Sequence, residues 1–218
     1  MTDFIEIYDD ALSSDDCDYT VEMIDKLPKR RVDENNKKDV YYVEDTFLVE
    51  PSPHTIAINN ALDKCINKYV EKHHQLKRTD APWQVDNSYC LQKYDPNMGY
   101  FISHAENQGY CHHSIRRMLV WMIYLNTVTD DGGTYFENYD KTINAVKGRC
   151  VIWPAFWTHF HNGIVSKTQT KYIATGWFMY DRIPDSRDKT SKGSLFADLF
   201  RNPYNLTCLL YTSPSPRD

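Results

Sequence analysis

No run of apolar residues in this chain of 218 approaches the ~20 that a membrane-spanning helix needs. No Lys/Arg run is longer than Lys29–Arg31, and the net charge of -5 with a pI near 5.9 leaves no electrostatic footprint for nucleic acid or an anionic membrane. The start, MTDFIEIYDD, is acidic where a secretory signal would be basic and then apolar, so a cytoplasmic protein is expected. None of the six cysteines (Cys17, Cys65, Cys90, Cys111, Cys150, Cys208) forms a C-x-x-C pair, which argues against a zinc site or disulfide framework and for scattered reduced thiols. Gly132 and Gly133 lack a P-loop lysine and a following helix, so they predict a tight turn instead of phosphate binding. There is no internal repeat, and nothing in the sequence speaks to oligomeric state.

What is present is a chain 41% apolar and 14% aromatic, enough for one packed core. A single domain over residues 1–207 is expected, with helical support at 1–82, a β-rich core at 83–180 and a polar extension at 181–207 that has a short helix after Ser194. The last eleven residues, CLLYTSPSPRD from Cys208 to Asp218, resemble a translated sequencing-library adapter and are set aside. A short strand at Phe4–Tyr8 should precede a helix capped by Ser13 or Ser14, with Tyr19, Met23, Ile24 and Leu27 on one face. Lys29–Lys38 reads as charged loop. A second helix from about His54 carries Ile58, Leu62, Cys65, Ile66 and Tyr69 at helical spacing. From Trp83 onward, short β-rich runs (SYCLQKY, YFISHAE, MLVWMIYLN, TYF, TINAV, RCVIWPA, KYIATGWFMY) follow one another with turns and no helices between them. That order predicts a mainly β fold with N-terminal helices, built as an antiparallel sandwich or barrel.

The stretch FISHAENQGYCHH packs three of the eight histidines beside a glutamate. On a strand, His104 and Glu106 share a face and can present an imidazole and a carboxylate to one point. A third ligand must come from elsewhere, and WTHFHNG offers His159 and His161. Two histidines and one carboxylate make the facial triad suited to non-haem Fe(II) and O2. Lys171 opens an otherwise apolar and aromatic strand, where an inward ammonium is costly unless an anion meets it.

These residues stand in linked motifs. LQKYDPNMGYFISHAEN, IYLN, GGTYF, KGRCVIWPA and HNGIVSKTQTKY follow one another between Tyr94 and Phe178 in an order that resembles the Fe(II)/2-oxoglutarate oxygenases of the prolyl 4-hydroxylase type. The resemblance implies a double-stranded β-helix of jelly-roll, cupin-like type. It also implies His104, Glu106 and His161 as iron ligands, and Lys171 as the partner of the distal carboxylate of 2-oxoglutarate. Tyr94 would line the co-substrate pocket, with Thr175 as a further candidate on the Lys171 face. His159 and His161 can both face the metal, and the ten-residue step to Lys171 favours His161. The usual acid of the motif is Asp; Glu106 keeps the charge and the oxygen donor, which favours hydroxylation over halogenation.

By the same resemblance the reaction is 2-oxoglutarate-dependent hydroxylation of an unactivated C–H bond using O2, with ascorbate as an accessory reductant. The expected substrate is a prolyl or other residue in a peptide or protein, or else a free amino acid or small molecule. From a different class, a non-catalytic cupin-like module that binds metal or ligand competes with the enzyme. The remaining features read as structure: His112 and His113, beside Arg116 and Arg117, as a solvated or substrate-lip loop; His54, His73 and His74 as helix-end residues; and Trp121, Trp153, Trp157 and Trp177 as core.

Overall fold

The computed structural model of the chain describes residues 2–27, 31–33, 38–43, 52–79, 81–109 and 113–181. The extension 182–207, with its expected helix after Ser194, and residues 208–218 lie outside the described residues. So do Cys111 and His112.

Strand β1 (Glu6–Tyr8) leads into helix α1 (Ser14–Lys26). Ser13 is its cap: the hydroxyl accepts from Asp16 N at 3.1 Å, and Asp15 and Asp16 in the first turn complement the helix dipole. The buried face is Cys17, Thr20 and Ile24, while Tyr19 points outward at 43% exposure, so the expected stripe through Tyr19 and Met23 is rotated. Small residues let the helix approach closely, and Thr20 can be buried because its hydroxyl donates to Asp16 O. Helix α2 (Pro53–Lys72) starts with proline in its first turn and buries Ile58, Leu62, Cys65 and Tyr69, as its spacing predicts.

The strands that follow are β2 (Arg31–Asp33), β3 (Lys38–Val43), β4 (Trp83–Tyr94), β5 (Arg117–Tyr124), β6 (Thr134–Phe136), β7 (Lys141–Ile143), β8 (Cys150–Pro154), β9 (His161–Gly163) and β10 (Lys171–Tyr180). Part of the segment expected as charged loop is therefore strand: β2 pairs with β3, and β3 with the edge of β4. The edge strand β2, with the sequence RVD, is too short and charged to carry an apolar alternation that would reveal it.

Seven strands form one sheet in the order β1-β8-β5-β10-β4-β3-β2, and three form a second in the order β7-β6-β9. Every pairing is antiparallel. Alternation along the strands sorts side chains into two cores. Leu91, Leu119, Trp121, Ile123, Ile152, Ala174 and Phe178 pack against α1 and α2. Cys90, Tyr94, Val120, Met122, Tyr124, Val151, Trp153, Ile173 and Trp177 face the small sheet, with Phe136 and Ile143. Two antiparallel sheets packed face to face, with helices outside the larger one, make a double-stranded β-helix of jelly-roll type. The Gly132–Gly133 turn uses both glycines. Gly132 sits at φ +71, and a Cβ on Gly133 would lie 2.5 Å from Ile143 O, too close for any other residue.

Cys17, Cys65 and Cys150 are free and buried. Cys90 instead is disulfide-bonded, against the expectation of reduced thiols throughout. A disulfide needs spatial proximity and not a C-x-x-C pair, so the sequence spacing did not reveal it. No helix among the described residues is long and apolar enough to cross a membrane.

Candidate metal centre

His104 and His161 meet on an isolated antiparallel bridge that extends the small sheet beyond β9. His104 N donates to His161 O at 3.0 Å and His161 N to His104 O at 2.9 Å. This places the imidazoles side by side, with ring centroids 4.5 Å apart. The segment read as a strand through YFISHAE has no continuous ladder. Among the described residues its backbone-to-backbone hydrogen bonds are those of Tyr100, His104 and Asn107 with Gly163, His161 and Ala155.

Both rings are held through Nδ1, His104 against Ile102 O and His161 against His159 O, each at 2.9 Å. A carbonyl can only accept, so Nδ1 carries the proton and Nε2 presents its lone pair. Glu106 Oε1 lies 3.2 Å from His104 Nε2 and 3.9 Å from His161 Nε2, and one ligand atom from each of the three residues lies within 4.8 Å of the others. Burial, and then the charge of His104, push the His161 imidazole down to about 3, so it is neutral at ordinary pH. Burial alone would raise the Glu106 carboxyl. The hydrogen bond and charge of His104, with Arg117 and His161, outweigh it and hold the group well below the usual carboxylate range. Two imidazole nitrogens and a carboxylate oxygen on one side of a point suit Fe(II), with positions left for other ligands.

The other Glu106 oxygen is occupied. Oε2 accepts from Arg117 Nη1 at 2.8 Å and from Trp177 Nε1 at 3.0 Å. The guanidinium lies 3.4 Å above the Trp177 ring. Neither residue was expected near the site, since Arg117 read as part of a loop and Trp177 as core. The available signal was an arginine opening a strand in which every residue is buried.

His159 turns the other way. Its Nε2 bonds Asp3 O at 2.8 Å, and burial lowers its pKa, so it ties the N-terminal segment to the wall. Lys171, 5% exposed, lies on the inner face of β10, and its Nζ would be 3.5 Å from a Cβ on Gly163. Gly163 is two residues beyond His161 on the same face of β9, roughly 7 Å along the strand at ~3.3 Å per residue. Burial alone pushes the Lys171 ammonium down to about 8, and no carboxylate among the described residues pairs with it. Tyr94 stands opposite Lys171 in register, with Nζ 5.1 Å from its ring centre, and donates to Gln92. Thr175 is half-buried on the same face, its hydroxyl donating to Trp121 O at 2.9 Å.

Of the remaining residues, His54 and His73 stand at helix ends as expected but are buried, and His73 bonds Glu6 at 2.8 Å. Trp157 is not core; it is 72% exposed. It joins Phe101, Ile102 and Phe156 as exposed apolar side chains on the segments that carry the two histidines.

Comparison with known proteins agrees with this geometry. Residues 89–179 match the family model of the 2OG-Fe(II) oxygenase superfamily. No curated protein sequence matches the chain. Among solved structures, the viral collagen prolyl hydroxylase of Paramecium Bursaria Chlorella virus-1, in its 2OG complex, is similar with TM-score 0.61 and 16% identity over 82% of this chain and 97% of that one. A Pseudomonas putida prolyl-4-hydroxylase is similar with TM-score 0.60 and 14% identity over 83% and 95% of the two chains. The Trichoplax adhaerens prolyl hydroxylase, in complex with a hypoxia inducible factor oxygen degradation domain peptide fragment, gives TM-score 0.60 and 13% identity over 82% and 84%. Residues 89–179 are thus similar to the 2OG-Fe(II) oxygenase superfamily, a similarity that supports a dioxygenase using Fe(II), 2-oxoglutarate and O2.

Proposed function

We propose that His104, Glu106 and His161 hold the iron, that Lys171 grips the distal carboxylate of 2-oxoglutarate beside Tyr94 and Thr175, and that the substrate is a prolyl or other residue within a peptide. When bound, the iron would activate O2 while 2-oxoglutarate supplies two electrons by losing carbon dioxide, so that one oxygen atom enters succinate and the other turns a substrate C–H bond into C–OH. The protein's residues perform the rest. The two imidazoles are aimed through their carbonyl-bound Nδ1 atoms. Glu106 supplies the single negative charge. Lys171 fixes the diacid end to end, and the apolar walls of Ile173, Val120 and Trp153 exclude water.

The observation that carries this reading is the meeting of three ligand atoms on one side of the cavity with a buried ammonium, lacking any carboxylate partner among the described residues, on the other. The peptide substrate is supported by the exposed Phe101, Ile102, Phe156 and Trp157, which offer more apolar surface than a free amino acid could cover. A similar fold binds a peptide fragment in the Trichoplax enzyme.

The test is succinate formation with Fe(II), 2-oxoglutarate and ascorbate on pooled peptides and free amino acids, with mass spectrometry for the gain of one oxygen atom. Oxygenation within peptides, lost in His104→Ala and needing far more 2-oxoglutarate in Lys171→Ala, is expected. Oxygenation of free amino acids alone would replace the peptide reading with the small-molecule one.

A further inference from the structure

Glu106 stands where an aspartate is usual, and its two oxygens have separate tasks. Oε1 faces the histidines while Oε2 is taken by Arg117 and Trp177. The guanidinium is itself held in place. It stacks on the Trp177 ring, and its Nη2 lies 3.5 Å from His113 Nδ1. Arginine has no acceptor, so Nδ1 of His113 accepts and its Nε2–H donates to Asp86 Oδ2, 2.9 Å away. The His113 ring also meets Trp177 edge-on, with centroids 6.0 Å apart. Asp86 belongs to β4, Arg117 to β5 and Trp177 to β10, the strand between them, so three adjacent strands of the large sheet contribute to one chain of contacts.

We infer that Asp86, His113, Arg117 and Trp177 are positioning residues that fix the reach of Glu106, so that the longer acid is required at this place. The inference rests on the metal site proposed above. An aspartate would withdraw the carboxylate by one carbon–carbon bond, about 1.5 Å. Measured against contacts of 2.8 Å on one oxygen and 3.2 Å on the other, that loss cannot be shared. The shortened acid keeps its clamp and leaves the histidines, or keeps the histidines and takes its negative charge away from a guanidinium that is 1% exposed. With glutamate, the clamp occupies Oε2 and a single oxygen is presented to the metal.

The experiment is a double-mutant cycle read in metal affinity, using Mn(II) alone as the probe and the electron paramagnetic resonance of free Mn(II) as the signal. Glu106→Asp is expected to weaken Mn(II) at least tenfold although the carboxylate remains, and Arg117→Met to weaken it 10- to 100-fold, the range that outer-shell partners of metal ligands give. The double variant should bind no worse than Arg117→Met, because without the clamp the shorter acid is free to move toward the histidines. His113→Phe should lose several-fold, and the visible spectrum of bound Co(II) should change as the second oxygen becomes available. Wild-type affinity in Glu106→Asp, or losses that multiply in the double variant, would overturn the inference. Where Arg117→Met does not fold, as checked by thermal melting, Trp177→Phe takes its place in the cycle. His104→Ala separates the two readings: if Mn(II) binds it as tightly as wild type, the metal site itself has been misplaced.

Discussion

The two faces of the seven-stranded sheet are made by alternate residues of the same strands, yet they differ in what they bury. Toward the helices, Trp121, Ile123, Leu91, Ala174 and Phe178 meet Ile24, Ile58, Leu62 and Tyr69 in a nearly wholly apolar layer. Toward the small sheet, the same strands carry Tyr94, Lys171, Thr175 and Trp177, and the facing segments bring His104, Glu106 and His161. Burying an ammonium without a counter-ion, and a carboxylate between two imidazoles, costs stability that the helix-side layer must supply. The period of two along a strand lets one sheet serve both purposes, because a change on one face leaves the other in register.

The largest effect expected from breaking this division is on the inner face. His161→Ala removes a nitrogen that points at the metal position, and succinate formation should fall by several orders of magnitude. Stability should fall as well, because the buried ring packs on Phe136 and Trp153 and donates to His159 O, so turnover is read per folded molecule. His159→Ala should cost stability and spare turnover. That ring ties Asp3 O to the wall, so its loss costs about 1–3 kcal/mol of stability while metal affinity stays within a few-fold. Equal loss of turnover in the two variants would mean that the pair has been read the wrong way round.

A smaller effect, confined to stability, is expected on the outer face. Leu62 is 2% exposed among Ile58, Cys65 and the outer residues of the sheet. Leu62→Ala should cost roughly 2–5 kcal/mol by transfer and cavity formation. The Michaelis constant for 2-oxoglutarate should be unchanged in the folded fraction. If it rose in step with destabilisation, the two faces would be coupled more tightly than their alternation implies.

This division also explains which parts of the molecule could be read from the sequence. Most of β10 is apolar or aromatic, so Lys171 stood out as a charge at its start, and Ile58, Leu62 and Tyr69 marked the buried stripe of α2. The pairing of His104 with Glu106 followed from their spacing, although the segment proved too irregular to be a strand. What could not be read depended on partners distant in sequence. Arg117 looks like the charged end of a loop until Glu106 and Trp177 close around it. His113 reads as a solvated histidine until Asp86 meets it from 27 residues away. Strand β3 is defined by pairing on β4 and β2 by pairing on β3, partners distant or unmarked in the sequence. The Tyr19 stripe failed because Cys17 and Thr20, small and only weakly apolar, occupy the contact where larger residues were sought.

The smallest effect is a pH dependence, and it sharpens the comparison because no buried ammonium lies on the helix side among the described residues. In the unfolded chain Lys171 keeps its proton up to about 10.5, whereas in the fold burial brings it down to about 8. Below about pH 8 both states are protonated and the cost of burying the charge is present in full. Between these values the unfolded chain binds more protons, so raising the pH favours the fold; above about 10.5 the gain is complete. A difference of that size corresponds to at most roughly 3 kcal/mol. Buried tyrosines such as Tyr69 and Tyr124 titrate above this range and oppose it, so the quantity to measure is wild type against Lys171→Met in urea at successive pH values, without 2-oxoglutarate. Lys171→Met should be the more stable at pH 7, and its advantage should shrink toward pH 10. A diacid that pairs with the ammonium restores its proton, so 2-oxoglutarate affinity should fall as pH rises past about 8 in the wild type, and Lys171→Arg should lack that decline. A Lys171→Met variant no more stable than wild type at pH 7 would mean that the ammonium already has a partner in the ligand-free protein.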